Sequence, residues 1–190
     1  MPLLICVTSS RSGHVQALAD AACQAYGEGG GHAETMPAAT GDLDRFADAD
    51  AVVLATPTHL GGPAADFVAF AERSARLRST DVLHSRWAAG ITCGVAPDGG
   101  KSMTLTYLLT VALQHGMIWV GLPHGPAAST YRGDNTVANA EGARLGVAAT
   151  LRGDELPAAS LATAAALGAR LARLGSSPRR RSGQTLVGAP

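Results

Sequence analysis

Three short stretches, each lying between an apolar run and a helix-like one, carry the residue types able to hold a ligand. The first is TSSRSGH, residues 8–14. Ser9, Ser10 and Ser12 supply hydroxyls, Gly13 lets backbone approach closely, and the helix start that follows offers free N–H groups and a positive dipole end. Together these suit an anion of the phosphate type. Arg11 adds a cation. Ordinary serine N-capping uses the same residues, and the stretch matches neither G-x-x-x-x-G-K-[ST] nor G-x-G-x-x-G. The second stretch is ATPTHLGG, residues 55–62. Pro57 fixes φ and removes a donor, Thr56 and Thr58 keep hydroxyls at a strand end, and Gly61 and Gly62 leave bare backbone on which a planar ligand can lie. A plain turn with Pro63 at the first helical position accounts for the same pattern. The third, TCGVAPDGGKS at 92–102, is Gly-rich and holds neither a catalytic dyad nor metal ligands.

The elements that position these stretches are legible from periodicity. LLICV (3–7), AVVLA (51–55), WAAGITCG (87–94) and MIWVGL (117–122) are short continuous apolar runs. HAETMPA from His32 is a weaker strand signal. Between them HVQALADAACQAY, ADFVAFAERSARL and MTLTYLLTVALQH repeat apolar residues at helical spacing, and an Ala-rich helix over 157–175 closes the pattern. Five alternations of strand and helix predict an α/β fold, a five-stranded parallel sheet with helices on both faces. Strands buried on both faces read as unbroken apolar runs. Ligands in such sheets sit beyond the carboxyl ends of the strands, where the three stretches fall. Residues 1–175 read as one domain. The loop from Pro123 to about Thr150 is long enough to suggest a function or an interface, and 176–190 read as a flexible, solvated tail.

Fifteen basic and fifteen acidic residues cancel, so nothing in the charge balance points to nucleic acid or an anionic membrane. Fourteen of the basic residues are Arg, and Lys101 is the one Lys. Three scattered cysteines argue for reduced thiols in a cytoplasm. No apolar run reaches membrane length. Among the histidines, His115 before Gly116 reads as a helix end closed by glycine, while His32, His84 and His124 read as surface residues. Cys93 is a small buried hydrophobe and Asp98 a turn residue.

ATPTHLGGPAADFVAFAER resembles the strand, loop and helix of the WrbA family of flavodoxin-like NAD(P)H:quinone oxidoreductases. SSRSGHV is similar to that family's phosphate loop, and LLTVALQHGMIWVGLP to its leucine-rich helix, His-Gly-Met and following strand. The matches run in order over residues 3–123, and ASTYRGDN (128–135) loosely echoes a later segment. The resemblance implies a flavodoxin-like fold with FMN as cofactor and NADPH or NADH as electron donor. A quinone-like acceptor would share one ring face with the donor in ping-pong order.

Carried over by position, Ser10, Arg11, Ser12, Gly13, His14 and Val15 would cradle the FMN phosphate. Pro57, Thr58, His59, Leu60 and Gly61 would line the ribityl chain and ring, with Thr92, Cys93, Gly94 and Val95 at the other edge. His115 matches the family histidine near the open flavin face and is the candidate catalytic residue. Arg78 stands where the family has a substrate-bordering Trp, and Ala96-Pro97-Asp98-Gly99-Gly100 departs from its third loop. Family members form dimers or tetramers that complete each other's sites, so a homodimer or homotetramer is expected. Rival readings are a flavodoxin-type electron carrier, a reductase releasing free FMN, and a scaffold without FMN that serves binding or assembly. Carriers are strongly acidic and cover the ring with aromatics; zero net charge and loops lacking Trp and Tyr favour the enzyme.

Overall fold

The computed structural model describes residues 1–97, 99–123 and 138–175. Asp98, His124 with the rest of 124–137 and its ASTYRGDN echo, and the 176–190 tail lie outside the described residues.

β1 (Leu3–Thr8) pairs in parallel with both β2 (His32–Pro37) and β3 (Ala51–Ala55). β3 pairs in turn with β6 (Trp87–Gly94). Alternation at period two sends Leu4, Cys6, Val53, Ala89 and Ile91 to one apolar layer and Ile5, Val7, Val52, Leu54 and Ala88 to the other. Both layers need cover, and the helices supply it. α1 (His14–Glu28) and α5 (Ala158–Leu174) pack on the first face. The second takes α2 (Leu43–Ala47), α3 (Ala65–Ser74) with the 3₁₀ turn Ala75–Thr80, and α4 (Lys101–Gln114). No helix among the described residues is long and apolar enough to cross a membrane.

Four details differ from the sequence expectation. The fifth position of the sheet is shared by two segments. β7 (Ile118–Trp119) pairs with the start of β6, and β8 (Val147–Thr150) with its end. MIWVGL is cut short at Gly121, where a Cβ would lie 2.4 Å from the Arg144 carbonyl oxygen. The Gly-rich return of the chain takes over, Gly146 lying against the Gly90 carbonyl. A short α2, capped by Asp42 accepting from the Asp44 N–H at 2.9 Å, occupies a stretch that carried no helical signal. The predicted helix through Leu77 ends at Ser74 and tightens into the 3₁₀ turn. The loop after β3 is itself a small hairpin of β4 (Thr58–His59) and β5 (Gly62–Pro63).

α1 and α5 meet backbone to backbone. A Cβ on Gly168 would lie 2.0 Å from the Ala22 carbonyl oxygen, so no side chain fits between the helices there. Alanine is the better helix former by about 1 kcal/mol, which makes Gly168→Ala a clean contest between propensity and packing. We expect packing to win, with Gly168→Ala lowering unfolding free energy by about 1–3 kcal/mol in urea titration.

Candidate functional site

The strands end at one level, and the three loops gather above β1, β3 and β6. In the first loop Gly13 takes φ 86°, a left-handed conformation, and caps α1 with no side-chain hydrogen bond. Among the described residues the backbone amides of 11–15 donate to no partner, and α1 has no acidic residue in its first turn. Ser10 Oγ accepts from the Gln16 N–H at 3.2 Å. Ser12 Oγ lies 2.8 Å from His14 Nδ1, and His14 Nε2 donates to the Asp154 carbonyl at 2.9 Å, which ties the loop to the turn before α5. Arg11 is exposed. Val15 departs from its expected role: its side chain is 2% exposed and sits in the core, so only its amide faces the loop.

The second loop is held by its polar residues rather than presenting them. Thr56 is fully buried and its hydroxyl accepts from the Ala64 N–H at 3.1 Å, closing the base of the hairpin. Thr58 Oγ1 lies 2.8 Å from Thr92 Oγ1 and donates to Thr104 Oγ1 at 2.9 Å. A hydroxyl has one proton, so the chain runs Thr92 to Thr58 to Thr104 and joins β6, the hairpin and α4. Ser9 donates to Asp66 Oδ1 at 2.5 Å, joining the first loop to α3. The hairpin tip turns on Leu60 (φ 49°) and Gly61 (φ 80°), leaving Leu60 fully exposed and His59 at the surface. Pro57 is half-buried.

At the end of β6 the Thr92 side chain departs from its expected place at the ring edge, while Cys93 is the small buried hydrophobe read from the sequence. Their side chains are buried, Thr92 in the hydroxyl chain and Cys93 in the apolar layer beneath. Burial pushes the Cys93 thiol up to about 11. Only Gly94 and the exposed Val95 reach the cleft. The third loop then closes against the hairpin. Gly100 has φ 83°, and a Cβ there would lie 2.7 Å from Gly61 Cα.

One residue unassigned in the sequence organises this loop. Lys101 is buried, and its Nζ donates to the carbonyls of Ala96 (2.9 Å) and Pro97 (3.0 Å) and to Thr150 Oγ1 (2.7 Å). Glu141 Oε2 lies 3.7 Å away. A solitary lysine among fourteen arginines, directly after Gly-Gly and at a helix start, was the available signal. Lys101→Met strips these acceptors of their donor; we expect a loss of about 2 kcal/mol of stability, measured by chemical denaturation.

His115 and Arg78 are not brought to these loops. α4 runs away from the cleft, and a helix of 14 residues spans about 21 Å. Ile118, three residues past His115, pairs with Trp87 at the opposite end of β6. His115 and Arg78 together line a shallow pocket there with Ser79, His84 and Gly116. Ser74 Oγ donates to the Ala71 carbonyl at 2.8 Å, so His115 Nε2 donates to Ser74 Oγ at 3.0 Å. His115 Nδ1 is then buried without a partner among the described residues. Burial, and secondarily the Arg78 cation, lower the His115 pKa from its ordinary 6.5. With the folded pKa below the unfolded one, the unfolded chain binds the proton more readily. The His115 contribution is thus complete above about pH 6.5 and is lost as pH falls towards the folded pKa. His115→Gln is expected to flatten the drop in stability between about pH 7 and 5, followed by urea midpoints across that range.

The cleft fits FMN. The amides of residues 11–15 have no partner among the described residues and Arg11, Ser12 and Gly13 are exposed, Cβ atoms on Gly13, Gly61 and Gly62 would meet nothing within 4 Å, and Leu60 and Val95 offer apolar flanks. Among the described residues no His/Cys/Asp/Glu cluster suits a metal.

Strand order and the three-loop cleft define a flavodoxin-like α/β protein. A family model for NADPH-dependent FMN reductases matches residues 6–127, and the chain belongs to that family. It is 29% identical over 174 residues to an NAD(P)H dehydrogenase (quinone) of Cupriavidus metallidurans, covering 76% of this chain and 87% of the relative. A second protein of that name, from Chromohalobacter salexigens, is 31% identical over 120 residues, 58% of this chain and 60% of the relative. The crystal structure of a flavodoxin, WrbA-like protein from Agrobacterium tumefaciens superposes with TM-score 0.69 at 26% identity, over 92% of this chain and 97% of that one. An archaeal flavodoxin, 14% identical with TM-score 0.63 over 92% of this chain and 98% of that one, shares the fold.

Proposed function

We propose that this chain is an FMN-dependent NAD(P)H:quinone oxidoreductase. The observation that carries the reading is the cleft itself, where amides at a helix start, unpaired among the described residues, and glycines facing open space lie in a chain of the FMN reductase family. Bound FMN supplies two-electron transfer between a nicotinamide donor and a quinone.

The protein's part is to bind, orient and exclude. Amides of residues 11–15 and the Ser10 and Ser12 hydroxyls hold the phosphate, with Arg11 as a nearby cation. The hairpin 58–61 and residues Gly94 and Val95 flank the ring, the hairpin being held by the threonine chain and Gly100. Leu60 and Val95 exclude water. None of these groups moves a proton, in keeping with hydride chemistry, which needs no protein base in its first half.

His115 and Arg78 enter this reading only through another copy of the chain. They form one surface at the pole opposite the cleft, beside Leu113 and Ile118, both exposed apolar residues. Leu60, Val95 and Met103 are exposed near the cleft. A homodimer or homotetramer that sets one surface against the other would place His115 beside a neighbouring ring and cover both apolar sets. Light scattering tests this arrangement, and a particle near the monomer mass of 19.2 kDa overturns it.

For the activity, FMN added to purified protein is expected to bind with perturbed visible bands that bleach on anaerobic addition of NADPH or NADH and return with a benzoquinone. Gly13→Val should weaken FMN far more than riboflavin, which lacks the phosphate. Absence of binding at micromolar protein would refute the proposal.

A further inference from the structure

We propose that Cys6 and Cys23 form an oxidation site, a dithiol that closes to an intramolecular disulfide on reaction with a hydroperoxide. Their Sγ atoms lie 3.2 Å apart, and neither is in a disulfide. Cys6 is on β1 and fully buried, and Cys23 is on α1 and partly exposed. The two are brought together because α1 folds back over β1 after the first loop. Seventeen positions of sequence separation thereby become one sulfur contact. A disulfide needs an S–S distance of about 2.05 Å, so closure asks for roughly 1.1 Å of sulfur movement between a buried strand position and a partly exposed helix position.

The two thiols are not equivalent, and their difference sets the order of events. The hydrogen bond it shares with Cys6 lowers the Cys23 pKa, against the opposing effects of burial and of the Asp20 and Glu34 carboxylates. The same hydrogen bond, with burial, raises Cys6. Asp20 on α1 and Glu34 on β2 are the charged groups that face the pair. Cys23 is therefore both the more reachable thiol and the one that ionises first, and the thiolate is the nucleophile.

The chemistry balances without a cofactor. Cys23 thiolate attacks the outer oxygen of ROOH, the O–O bond breaks, ROH leaves after taking a proton, and Cys23 becomes a sulfenic acid. Cys6 then attacks that sulfur, the S–OH bond breaks, and water departs with the Cys6 proton. The net change is two thiols and ROOH to one disulfide, ROH and water. A dithiol reductant reverses it. The bridge encloses residues 7–22, and with them the whole first loop. Cys93 is an internal control: it is 3% exposed, raised to about 11, and has no neighbouring thiol. The inference stands independently of the flavin reading.

The test uses the full chain, reduced, desalted and treated with hydrogen peroxide, then denatured in N-ethylmaleimide. Two of the three thiols should escape alkylation, and dithiothreitol should restore all three. Tryptic cleavage at Arg11 and Arg45 separates the two cysteines, so a disulfide joining peptides 1–11 and 12–45 within one chain is the expected product. Cys23→Ser should leave both remaining thiols alkylatable after peroxide. Cys6→Ser should give a dimedone adduct at Cys23. Three alkylated thiols after peroxide, a Cys23–Cys23 link between chains, or protection that persists in Cys23→Ser would each overturn the proposal.

Discussion

The parallel ladder of β1, β3 and β6 constrains everything else. Every strand in it points the same way and is apolar on both faces. Each return path must therefore be a helix running in the opposite sense. All loops after strands then collect at one pole, and all helix ends at the other. The cleft at 8–14, 55–63 and 94–100 follows from this, and so does the exile of His115 and Arg78 to the far pole. A single geometric rule gathers one set of residues and separates the other.

Within the cleft the stabilising devices are neutral or internally paired. Three threonine hydroxyls run in sequence, and one ammonium is consumed by two carbonyls, a hydroxyl and a carboxylate. Such arrangements shape loops while adding little net field. This suits a site whose ligand brings its own chemistry and needs chiefly a fixed frame, and it agrees with the zero formal charge of the chain. Glycine at 61 and 100 is what permits the frame, Gly61 through its left-handed turn and Gly100 because a Cβ there would stand on the Gly61 backbone.

Much of this was legible beforehand, for identifiable reasons. Core strands announce themselves as unbroken apolar runs, and Gly13 and Gly61 stood out as places where bare backbone could meet a ligand, though their left-handed turns did not. The roles of Thr58, Thr92 and Val15 were not legible, because a one-dimensional motif does not say which way a residue faces. Thr92 and Cys93, adjacent in β6, face opposite layers of the sheet. Lys101 escaped for a related reason. Its partners at 96, 97 and 150 are carbonyls and a hydroxyl, which leave no compositional trace. His115 shows the reverse case, where a matched motif identified the residue and the fold put it far from its expected company. Splitting the fifth strand position was hidden too, since Val147–Thr150 is too short to stand out against the apolar run at 117–122.

That split has an architectural meaning. The chain leaves β6 at Trp119 and rejoins it at Val147, so departure and return lie along the same edge and the ladder is continued by whichever segment is present. Of the described residues between them, Val120 and Leu122 seat in the first apolar layer and Gly121 and Gly146 lie against backbone, so both ends of the excursion are pinned, and the entropy of a loop between pinned ends grows only logarithmically with its length. The slot is thus a natural grafting point, where engineers can insert a segment between two pinned ends while the rest of the molecule keeps its register.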